Sequence, residues 1–143
     1  MKFVNDVTIN RPRAEVFAYV ANFENIPRWN YAIGETRKLT DGPVGVGARY
    51  RQRRSLPAPS EEEFEVVEFE RDRRLSIDGD LAFLHGRVSY DFDSAGGATT
   101  LTNTMDLRAS GPMNLVAQLS ARRLRTAVAA NLATLKELLE RGE

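Results

Sequence analysis

The sequence predicts an α+β domain: a curved, seven-stranded antiparallel sheet wrapped round one long C-terminal helix, with two short helices after the first strand. Three observations carry this. Apolar residues recur at three- and four-residue spacing from Met113 to Arg141. Residues 34–108 read as short alternating segments divided by turn chemistry, with no helix-length segment between them. The length of 143 residues suits one domain with one core, spanning 1–143.

The elements follow in order. Phe3, Asn5, Val7 and Ile9 alternate with Val4, Asp6 and Thr8, and the β-branched content marks a first strand over Lys2–Ile9. Asn10-Arg11-Pro12 signals a helix start, because proline at the first turn loses no hydrogen bond. Val16, Phe17 and Val20 then give a short helix one apolar face. Asn22 is placed to cap a second short helix that ends at Ile26-Pro27, since the residue before proline is pushed out of helical geometry.

Six further strands are expected near Glu35–Thr40, Gly47–Ser55, Glu61–Glu70, Leu75–Gly79, Phe83–Phe92 and Thr99–Arg108. Their separators include Asp41-Gly42-Pro43, Leu56-Pro57-Ala58-Pro59, Asp78-Gly79-Asp80 and Ser94-Ala95-Gly96-Gly97. Gly111-Pro112 closes the last strand. The final helix, of ~28 residues and ~42 Å, carries Met113, Val116, Ala117, Leu124, Val128, Leu132 and Leu135 on its inner stripe.

Composition narrows the function. Twenty basic and 20 acidic residues balance, which argues against a protein built to bind nucleic acid. With no cysteine there is no disulfide, thiolate ligand or cysteine nucleophile. No apolar stretch is long enough to insert in a membrane, and the first residues lack signal-peptide order, so a cytoplasmic location is expected. The chain has no P-loop, dinucleotide fingerprint, zinc spacing or nucleophile elbow, and no metal or cofactor is expected.

Several segments, taken together, resemble the START-like (SRPBCC, helix-grip) superfamily and most of all its bacterial polyketide cyclase/dehydrase-like branch. They are Ile9-Asn10-Arg11-Pro12-Arg13-Ala14-Glu15-Val16-Phe17, Ile26-Pro27-Arg28-Trp29, Val44-Gly45-Val46-Gly47-Ala48-Arg49-Tyr50, Phe69-Glu70-Arg71-Asp72-Arg73-Arg74-Leu75, and Gly96-Gly97-Ala98-Thr99-Thr100-Leu101-Thr102. The resemblance covers nearly the whole chain. It implies a hydrophobic cavity between sheet and C-terminal helix, used by relatives to bind lipids, polyketides, hormones or quinones, for aromatase/cyclase chemistry, or alongside partner proteins. It transfers no catalytic residue.

The cavity candidates are Trp29, Tyr50, Gln52, Arg54, Phe64, Leu84, Tyr90, Asn103, Met105, Met113, Ala117 and Asn131. Trp29 offers an apolar wall and one N–H donor. Tyr50 continues the inward parity of Val46 and Ala48, which carries on to Gln52 and Arg54. Asn103 shares parity with Leu101, Met105 and Leu107, so an amide is expected among apolar neighbours, where it needs a structural partner, a water or a ligand. His85, the lone histidine, shares a face with Arg87, Ser89 and Asp91 and is expected to face solvent unless a bulge near Gly86 reverses parity. The run Glu61-Glu62-Glu63 with Glu65, Glu68 and Glu70 reads as a solvated face opposite Arg49, Arg51, Arg53 and Arg54.

The expected function is binding of a small hydrophobic ligand, aromatic, polyketide-like or lipid-like, by a monomer or homodimer. A cyclase or dehydratase on the same scaffold is the alternative, with Tyr50, Tyr90, Arg54 or His85 as weak acid–base groups. A protein-interaction module is the third reading.

Overall fold

The structure, a computed structural model, describes residues 1–142. The chain runs through β1 (Lys2–Ile9), α1 (Arg13–Ala21), a 3-10 turn (Phe23–Asn25) and α2 (Ile26–Trp29). Then come β2 (Ile33–Lys38), β3 (Arg49–Arg54), β4 (Ser60–Glu70), β5 (Arg74–Leu81), β6 (Leu84–Ala95), β7 (Ala98–Arg108) and α3 (Met113–Glu140). One antiparallel sheet has the order β1-β7-β6-β5-β4-β3-β2. Consecutive strands pair as hairpins from β2 to β7, and β1 closes the far edge against β7. The expected α+β class and strand number stand.

One face of the sheet and one stripe of α3 make the core. Ile9, Val66, Leu75, Phe92, Leu101 and Leu107 are buried on the sheet, and Val128, Leu132, Leu135 and Leu139 on the helix. Burying each such side chain contributes about 1.5–3 kcal/mol. Phe17 of α1 packs edge-on against Phe69 and Phe92, with ring centroids 5.3 and 5.0 Å away, and so ties the short helices to the sheet. The β6–β7 hairpin turns at Gly96-Gly97, whose φ values of 55° and 85° are the left-handed pair that a two-residue hairpin needs.

Five expectations about local structure change. Asn22 precedes the 3-10 turn without a side-chain capping bond. Val46 is exposed, because it lies in the loop before β3, where strand parity does not apply. Ile26-Pro27 begins α2 instead of ending a helix, because proline is compatible with a first helical turn. Asp78-Gly79-Asp80 is not a turn: β5 runs to Leu81, and the reversal falls at Ala82-Phe83. Gly79 instead marks a close approach, since a Cβ there would sit 2.5 Å from the Phe64 Cβ. The inner stripe of α3 starts at Ala117, and Met113 and Val116 are exposed. No side chain of α3 is buried before Ala117, so apolar spacing alone does not bury them.

Candidate functional site

The inner face of the sheet is assembled by register. Tyr50 lies opposite Phe64 and Gln52 opposite Glu62 across β3 and β4. Tyr90 lies opposite Asn103, and Val88 opposite Met105, across β6 and β7. Asn5 continues the Tyr90–Asn103 row on β1 and donates its side-chain N–H to the Arg125 carbonyl of α3 at 3.2 Å. Trp29, at the end of α2, meets Tyr90 edge-on at 6.4 Å with the rings 84° apart. Phe23 stands against both Tyr50 and Phe64, which stack 5.1 Å apart.

Eleven of the twelve expected cavity residues are buried: Trp29, Tyr50, Gln52, Arg54, Phe64, Leu84, Tyr90, Asn103, Met105, Ala117 and Asn131. Met113 is the exception, at 43% exposure. Asn131 accepts a hydrogen bond from the Tyr31 backbone N–H at 3.3 Å, which fastens α3 to the segment after α2. His85 is exposed, because pairing runs through Gly86 without a register shift on either side. It stands on the wall of an outer groove of about 580 Å³ with Arg87 and Asn114. Tyr50 also reaches the wall of a groove of about 610 Å³ beside α1, near Phe69, Glu24 and Lys38.

Arg54 has a partner that the sequence pattern placed in solvent. Glu62 is buried, with its side chain 1% exposed against 7% for Arg54. Its carboxylate accepts from Arg54 Nε at 2.5 Å and Nη2 at 3.1 Å, from Gln52 Nε2 at 2.9 Å and from the Ala82 backbone N–H at 2.6 Å. The expectation of a solvated face therefore fails for Glu62, whose parity matches Phe64. It holds for Glu63, which pairs in the open with Arg49 at 3.1 Å and Arg51 at 3.3 Å. The Glu62 carboxylate binds the β5–β6 turn to β3 and β4 and neutralises the one arginine on the inner face of β3.

Five buried polar atoms have no hydrogen-bond partner among the described residues: Tyr19 Oη on α1, Trp29 Nε1, Thr36 Oγ1, Gln52 Oε1 and Asn103 Oδ1. Asn103 uses only its amide nitrogen, in a 3.4 Å bond to the Ser89 carbonyl. Leaving such a group dry and unpaired costs about 1–3 kcal/mol, so each needs a cause. Burial also pushes the Tyr90 phenol well above its ordinary range, and burial with the nearby Glu24 charge pushes Tyr50 up to about 12. Both phenols stay protonated near neutral pH, able to donate a hydrogen bond but poor bases. Asn5, Thr36 and Glu62 are polar residues of this region that the sequence pattern did not single out.

Comparison with known proteins agrees with this architecture. The fold is shared with TTHA0849 of Thermus thermophilus, at a TM-score of 0.79 and 15% identity over 96% of this chain and 95% of that one. It is shared with the Zhui aromatase/cyclase of Streptomyces sp. R1128, at 0.75 and 16% over 100% and 96%. One half of BexL, the di-domain aromatase/cyclase of the BE-7585A biosynthetic pathway, also matches, at 0.76 and 18% over 98% of this chain and 46% of that one. No curated protein matches the chain in sequence. The model of the family described as polyketide cyclase / dehydrase and lipid transport matches residues 1–140, and the chain belongs to that family.

Proposed function

We propose that this domain binds a small hydrophobic molecule, aromatic, polyketide-like or lipid-like, between the inner face of the sheet and α3. The carrying observation is the set of buried polar atoms without partners, Trp29 Nε1, Gln52 Oε1 and Asn103 Oδ1, among apolar side chains. One donor and two acceptors would orient a ligand with a few oxygen or N–H groups, while apolar contact supplies affinity. Room would come from the first half of α3, where Ala117 is the one buried residue between Met113 and Ala127. Thermal-shift screening against aromatic ketones, quinones and fatty acids tests this. Stabilisation by at least one class, weakened in Asn103→Leu, supports it, and no shift with any class overturns it.

A catalytic reading, cyclisation or dehydration of a polyketone, draws on the family and on the aromatase/cyclase neighbours. Tyr50 and Tyr90 would serve it as hydrogen-bond or proton donors, since both phenols are held protonated. Turnover unchanged in Tyr50→Phe/Tyr90→Phe would remove them from that role.

A further inference from the structure

The most exposed large apolar side chain among the described residues is on α3. Leu119 is 77% exposed and Leu115 is 64% exposed. At 100° per residue, Leu115, Leu119, Arg122, Arg123 and Thr126 fall on one stripe of α3, opposite the buried Ala117 and Val128. Beside the stripe Tyr31 is 61% exposed, and a shallow depression of about 380 Å³ is lined by Tyr31, Arg122, Arg123, Thr126, Ala127 and Ala130. We propose that this face docks on an anionic lipid surface.

The charge pattern selects that occupant. From Met113 to Leu135 the helix holds Arg122, Arg123 and Arg125 and no Asp or Glu, while acidic residues resume only at Glu137. Arg51 and Arg53 on the sheet are neutralised by Glu63 and Glu35. Arg122 and Arg123 have no carboxylate within ion-pair distance among the described residues. Two leucines can enter the acyl boundary, two guanidiniums can take lipid phosphate from the depression, and a tyrosine suits the interface between them. A second copy of the chain fits less well, because a two-fold contact centred on the stripe sets Arg122 and Arg123 against their own copies. Among the described residues no helix is long and apolar enough to cross a membrane, and the proposed contact is a peripheral one. This docking surface goes beyond the ligand-binding reading and stands whether or not the interior holds a ligand.

Co-sedimentation with vesicles of phosphatidylcholine alone, and of phosphatidylcholine with phosphatidylglycerol, tests it on the whole chain. Wild type is expected to bind only the phosphatidylglycerol vesicles and to release as salt rises. Arg122→Gln/Arg123→Gln should lower the partition about 25-fold, from a factor of about 5 for each basic residue at an anionic surface. Leu115→Ser/Leu119→Ser should lower it at least as far, and both variants should melt as wild type because the four side chains lie in solvent. Absence of wild-type binding to phosphatidylglycerol vesicles overturns the proposal, as does binding that neither variant weakens. A dimer in light scattering that Leu115→Ser/Leu119→Ser abolishes, with no vesicle binding, would assign the face to self-association. Failure here leaves the thermal-shift result untouched, so the two readings fail separately.

Discussion

Replacing Glu62 with alanine should unfold the domain far more readily than its place in a run of three glutamates suggests. The side chain is 1% exposed and holds Arg54, itself 7% exposed, through two hydrogen bonds of 2.5 and 3.1 Å. In Glu62→Ala the guanidinium keeps only a 3.3 Å bond to the Leu56 carbonyl. Gln52 Nε2 and the Ala82 N–H lose their acceptor as well. Removing one partner of a buried ion pair costs about 3–5 kcal/mol, because the remaining charge stays out of water. With a urea dependence of about 2 kcal/mol per molar, the unfolding midpoint should fall by about 2 M. Glu61→Ala, on the exposed neighbour, should move it within about 0.5 kcal/mol. Arg54→Met/Glu62→Leu removes both charges and should lie within about 1–2 kcal/mol of wild type, since an apolar pair of similar volume often replaces a buried ion pair without loss. A Glu62→Ala cost under about 1 kcal/mol, or a double variant as unstable as the two single changes added together, would refute the reasoning.

Asn103→Leu separates a structural amide from a ligand-binding one. Its Oδ1 has no partner and its Nδ2 bond is 3.4 Å, so the change should alter stability by less than about 1 kcal/mol in urea while weakening ligand binding. A loss above about 2 kcal/mol would make the amide structural. Tyr50 holds its proton more tightly folded, up to about 12, than unfolded, near 10. Its contribution is therefore whole below pH 10 and is lost as pH rises from 10 towards 12, by up to about 2–3 kcal/mol. Urea midpoints across that range should fall less in Tyr50→Phe than in wild type, and parallel curves would contradict the assignment.

The sheet and the long helix were legible because their signals are periodic and repeated. Alternation along Leu101, Asn103, Met105 and Leu107 placed an amide inside, and Asn103 is fully buried. The parity of Leu84, Val88, Tyr90 and Phe92 set His85 outside, and continuous pairing through Gly86 keeps it there. The same rule reaches Glu62: Phe64 points inward, so Glu62, two residues earlier, does too. Composition obscured parity, because three consecutive glutamates look like a solvated face and a buried carboxylate is rare without a partner. That partner, Arg54, becomes visible only once the β3–β4 register sets Gln52 opposite Glu62. Met113 failed for the opposite reason. Its spacing matches the inner stripe, but burial depends on how far α3 lies along the sheet, which periodicity does not encode. The unpartnered atoms at Trp29 and Thr36 required three dimensions, since a missing hydrogen bond has no sequence signature.

Trp29 makes the central claim measurable, because it is the only tryptophan and its ring lies on the inner face against Tyr90. Titrating the protein with an aromatic polyketide-like ketone and following tryptophan emission reports whether a ligand arrives there. A saturable change of emission at one ligand per chain, weakened in Asn103→Leu and accompanied by a rise in melting temperature, is the result predicted. Emission that stays constant, or changes without saturating, across aromatic ketones, quinones and fatty acids would contradict an internal binding site.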